Sequence, residues 1–139
     1  MTLSQHASNI LKLANFQTRL LKKQDQWLAA HGISFKEFTI MFHLHQSPTR
    51  NMRRVDLAEV VGLSASGVTR LLNPMQKIGL VEKEEAARDA RVSLVRLTDA
   101  GEALFKDAEN SVNERVEAFM DLLTENQRAA LQELSEARI

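Results

Sequence analysis

Residues 55–79 read VDLAEVVGLSASGVTRLLNPMQKIG, and residues 80–101 continue LVEKEEAARDARVSLVRLTDAG. Val55 to Val61 supplies about two turns of helix before Gly62, a residue suited to the position just past a helix end. Ser64 is placed to cap a second helix, whose inward stripe reads Val68, Leu71, Leu72, Met75 and Ile78 until Gly79 stops it. Two short helices joined by a three-residue turn containing glycine form a helix-turn-helix. Leu80–Glu84 and Val92–Leu97 then read as strands on either side of a charged tip, Glu85 to Arg91, so a two-stranded hairpin follows at once.

Outside this segment the chain is helical. From Ser4 to Ala30 the apolar positions Ala7, Ile10, Leu11, Ala14, Leu20, Leu21, Trp27 and Leu28 recur at helical spacing, and His31-Gly32 closes the run. Ser34 and Glu37 offer a capping box for a helix carrying Phe35, Phe38, Met41, Phe42 and Leu44, which Ser47-Pro48 ends. Thr98 opens a long helix with a stripe from Ala100 to Leu123, and Thr124 with Gln127 caps a last one bearing Ala130, Leu131 and Leu134. The fold class is mainly α with a small two-stranded β-wing.

The 139 residues are 44% hydrophobic and 26% charged, enough for one core and therefore one domain, 1–139. Eighteen basic side chains balance eighteen acidic ones, so bulk charge cannot attract a polyanion and any nucleic-acid surface must be local. Residues 50–96 hold nine basic and six acidic side chains, whereas residues 97–139 hold four and ten. This is the pattern of a basic working segment on an acidic scaffold. The absence of cysteine excludes disulfides, thiolate metal sites and thiol redox sensing. No stretch is long and apolar enough to span a bilayer, and the chain reads as soluble and cytoplasmic.

Two stretches resemble one family. Leu57-Ala58-Glu59-Val60-Val61-Gly62-Leu63-Ser64 leads into Val68-Thr69-Arg70-Leu71-Leu72; Asp89-Ala90-Arg91 is followed, five residues on, by Leu97-Thr98-Asp99-Ala100-Gly101. With its flanking long helices the chain resembles the MarR family (multiple-antibiotic-resistance regulators) over nearly its whole length. The resemblance implies a winged helix-turn-helix at 33–98, dimerisation helices at 1–32 and 99–139, and a homodimer that binds a pseudo-palindromic DNA operator as a repressor relieved by a ligand. It implies no enzymatic activity.

The chemistry supports that expectation. A helix fits the major groove, and its first turn offers free N–H groups to phosphate. Ser64, Ser66 and Gly67 occupy that turn, Arg70, Asn73 and Lys77 face outward, and Thr69 lies at the boundary. Arg54 joins them, and Arg88 and Arg91 at the hairpin tip suit the minor groove. By the resemblance, Asp89 holds the wing turn and orients Arg91. Pro74 is expected to kink the second helix and turn its last residues away from DNA.

Similar proteins bind aromatic acids or other lipophilic effectors between the dimer helices and the winged domain; Phe16, Arg19, Trp27, Met41 and Phe42 are the candidates here. No cofactor or metal is expected: His43 and His45, two positions apart on a helix, point roughly 200° apart. The run Gly62 to Thr69 mimics a phosphate loop but has Val68 where lysine is required. A winged helix serving as a protein-binding adaptor is the alternative that sequence leaves open.

Overall fold

The computed structural model describes residues 2–86 and 89–139, with backbone alone for residues 85–86 and 89–92. In chain order the elements are α1 (Gln5–Leu28), a 3-10 turn (Ala29–His31), α2 (Phe35–Gln46), β1 (Asn51–Arg53), α3 (Arg54–Val61), α4 (Ala65–Lys77), β2 (Val81–Ala86), β3 (Asp89–Leu97), α5 (Asp99–Asp121) and α6 (Glu125–Ser135). Every α-helix but α3 starts at a polar cap. Ser4, Ser34, Ser64, Thr98 and Thr124 each accept a hydrogen bond from a backbone N–H of the first turn. The boxes Ser34/Glu37 and Thr124/Gln127 are complete in both directions.

The expected two-stranded wing is part of a larger sheet. β1 pairs antiparallel with β3, giving the order β1-β3-β2, with Met52 opposite Val95 and Lys83 opposite Val95 on the other side. Residues 51–53 are too few to show alternation, so local pattern alone reads them as a polar loop. The chain reaches β1 through Arg50, the one non-glycine residue with positive φ (58°) among the described residues. The Ser47 hydroxyl steadies this turn by donating to the Asn51 carbonyl at 2.7 Å.

One core joins α2, α3, α4, the sheet and the first third of α5. Leu44, Leu57, Val68, Met75 and Phe105 are wholly buried in it, and Phe38 stacks on Phe105 at 5.2 Å between ring centroids. Glu102 is buried there too, its Oε1 2.6 Å from Nδ1 of His45 without the alignment of a hydrogen bond. By contrast α1 buries only Leu28 and α6 buries nothing.

The turn from wing to α5 is the tightest joint. The Thr98 N–H donates to the Leu80 carbonyl at 3.1 Å, and the Thr98 hydroxyl reaches the carbonyls of Gly79 and Leu80 while accepting from the Gly101 N–H. A Cβ at Gly101 would stand 2.1 Å from the Leu80 oxygen and 2.8 Å from Leu97 Cδ1. Gly101→Ala therefore forces backbone apart at this joint. Urea unfolding should show a loss of about 1–3 kcal/mol or more, the usual range for overpacking.

Candidate nucleic-acid interface

α3 ends at Gly62, whose φ of 69° closes the helix in the left-handed conformation, and Leu63 N–H returns to the Ala58 carbonyl at 3.0 Å. The chain then enters α4 through Ser64. Its hydroxyl accepts from the Gly67 N–H at 3.1 Å and lies 3.2 Å from the Ser66 hydroxyl, so the first turn is capped and lined with small polar groups.

α4 buries Val68, Leu72 and Met75, which follow one another at four and three residues and therefore share a face. The opposite stripe, Ser66, Arg70, Asn73 and Lys77, has the same spacing and is exposed throughout. One detail differs from expectation. Ile78 caps α4 and is 64% exposed, because the helix ends before its side chain turns inward. Pro74 lies inside α4 without ending it, and the helix continues to Lys77. Pro74 and Arg70 both sit on the exposed side, so water can serve the Arg70 carbonyl that proline leaves without a donor.

Arg54, the first residue of α3, is half-buried. Its Nε donates to Ser93 Oγ at 3.3 Å and its Nη1 to Thr69 Oγ1 at 3.2 Å, linking α4 to β3. Two expected site residues, Arg54 and Thr69, are thus brought together. Arg53 next to it is spent differently: its guanidinium forks onto Asp56 at 2.9 and 3.2 Å. That hydrogen bond holds the Asp56 carboxyl below its ordinary range and raises the guanidinium in return. Arg88 and the side chains of Asp89 and Arg91 lie outside the described residues.

Ser93 is not among the residues expected from sequence. It falls on the same strand face as the buried Val95 and Leu97, and a hydroxyl on a core-facing position is the signal that could have singled it out.

The effector candidates are dispersed. Phe16 lines an apolar cleft of about 300 Å³ between α1, the end of α5 and α6, and Arg19 lies over the Phe16 ring at 5.9 Å. Trp27 meets Phe119 at 6.1 Å beside a separate cavity of about 150 Å³ with Lys23 and Arg115. Met41 is wholly buried in the core, and Phe42 is partly exposed against His43.

A MarR-family model matches residues 31–92, the segment that holds α2 to the wing. The HTH-type transcriptional regulator FarR of Neisseria gonorrhoeae is 26% identical over 133 residues, covering 96% of this chain and 90% of FarR. The chain is similar to proteins of the MarR family. The transcriptional repressor MprA of Escherichia coli is 25% identical over 93 residues, 67% of this chain, and the match spans only about half (53%) of MprA. The fold of this chain is also that of Sco3205 from Streptomyces coelicolor, a MarR family transcriptional regulator solved in complex with DNA. The two superpose with a TM-score of 0.81 at 24% identity, over 97% of this chain and 86% of the other.

The cap at the start of α4 gives a direct test of the local account. Ser64→Ala removes the acceptor for the Gly67 N–H and should cost about 0.5–2 kcal/mol in thermal or urea unfolding, with the fold retained.

Proposed function

We propose that this chain is a DNA-binding transcriptional regulator that acts as a homodimer on a pseudo-palindromic operator, most simply as a repressor. The observation that carries the reading is the exposed stripe Ser66, Arg70, Asn73 and Lys77, held outward by the buried Val68, Leu72 and Met75. Arg70 has the reach for a guanine edge or a phosphate, and the small residues of the first turn admit close approach. The wing, with Arg88 and Arg91 in its sequence, flanks the same helix in the order of elements. Sco3205, solved with DNA bound, supports the class of partner.

Dimerisation through 1–32 and 99–139 belongs to the same reading. α6 has 11 residues and no buried side chain, too short and too uncovered to persist without a partner surface. Ile10, Leu11 and Leu13 on α1 and Leu131 and Leu134 on α6 leave an apolar face exposed at the same end of the molecule. The cleft containing Phe16 is continuous with that face, and a small aromatic or lipophilic effector bound near it would act on the dimer's geometry. Among the described residues no helix is long and apolar enough to cross a membrane.

Selection from a random-sequence duplex library should yield a two-fold-related site, and log K should fall steeply with log salt. Arg70→Glu should abolish binding to the selected duplex while sedimentation still reports a dimer; dissociation into monomers would place Arg70 elsewhere. Leu131→Glu combined with Leu134→Glu should do the reverse, giving monomers in sedimentation and losing operator binding with them.

A further inference from the structure

The helix that enters the groove and the hairpin that flanks it are separate elements, and a two-part grip depends on the angle between them. β2 and β3 are rooted at Leu80 and Leu97, but the hairpin extends several residues beyond that root. Midway along it stands Ser93, which accepts from Arg54 Nε, while the other arm of the same guanidinium reaches Thr69 on α4. Arg54 itself follows β1 directly, and Arg53 of β1 is in register with Leu94 of β3, so its own backbone is fixed to the strand it bonds.

We propose that Arg54 is a positioning residue for DNA binding: it sets the wing against the recognition helix through Ser93 and Thr69, rather than by meeting phosphate. The inference rests on the DNA-binding reading above. A guanidinium is suited to the task because its planar fork presents two N–H directions at a fixed angle; an ammonium offers a single point. The half-buried setting adds a constraint, since a charge there must keep its hydroxyl partners or seek water. Each partner is also fixed in its own element. Thr69 lies one residue beyond the buried Val68, and Ser93 two residues before the buried Val95. The brace therefore connects two surfaces that the core already holds, and it restrains the hairpin where the root no longer does.

The test uses the full-length dimer and the duplex that the wild-type protein selects from a random library. Arg54→Met should weaken binding about tenfold with an unchanged slope of log K against log salt, because no phosphate contact is lost. Arg54→Lys should fail to restore affinity although it restores the charge. Ser93→Ala should weaken binding by a smaller factor, and in the double variant with Arg54→Met it should add almost nothing, the mark of residues acting through one another. In the free protein, Arg54→Met should speed amide exchange from Ser93 to Val95 while leaving α5 unchanged.

A salt slope reduced by about one, or full rescue by Arg54→Lys, would show direct phosphate contact and overturn the proposal. Unchanged amide exchange overturns it as well, and that result is read without DNA. Should the wild-type protein bind no duplex, the DNA reading falls and the exchange result alone judges the brace.

Discussion

The structure depends first on the burial of one face of α4. Val68, Leu72 and Met75 are removed from water together with Leu44 and Leu57, and full burial of such side chains is worth about 1.5–3 kcal/mol each. Truncating any one of them to alanine would remove a sizeable part of the roughly 5–15 kcal/mol by which a domain is ordinarily stable. Because the helix repeats about every 3.6 residues, fixing that face inward fixes Ser66, Arg70, Asn73 and Lys77 outward. The packing that stabilises the domain is the same packing that aims its polar stripe. An α4 free to rotate would expose Leu72 and withdraw Arg70 together.

The second constraint is the joint at Leu80. Its carbonyl accepts from the Thr98 N–H, lies within reach of the Thr98 hydroxyl and lies against Gly101 with no room for a Cβ. The sequence Leu97-Thr98-x-x-Gly101 after Gly79-Leu80-Val81 thereby acquires a physical meaning: the hydroxyl caps α5, the glycine lets α5 touch the start of the wing, and Leu97 closes the sheet against the core. α5 runs from this joint to its contacts with α1, where Trp27 meets Phe119. A single 23-residue helix thus joins the root of the wing to the α1 contact.

Much of this was legible in the sequence, for local reasons. Caps, glycine stops and apolar periodicity act within a few residues, so Ser34, Ser64, Thr98 and Thr124 mark helix starts without knowledge of the fold. β1 was not legible, because Asn51–Arg53 becomes a strand only when β3 lies alongside. Ile78 fits the stripe of α4 but falls where the helix has ended. Arg54 was legible as a basic residue near the site, yet its bonds join residues 15 and 39 positions away, which no local pattern encodes. Glu102 reads as one more acid in an acidic tail, and only packing shows it buried beside His45. The effector residues share a chemical type but not a place: Met41 belongs to the core, and Phe16 and Trp27 to different hollows.

The most direct test of the central claim is backbone amide shift mapping during titration with a short duplex selected by the protein from random DNA. The account predicts that the largest changes fall on residues 64–73 and on the wing, with α1 and α6 little affected. Changes confined to α1 and α6, with the amides of α4 unmoved, would contradict it.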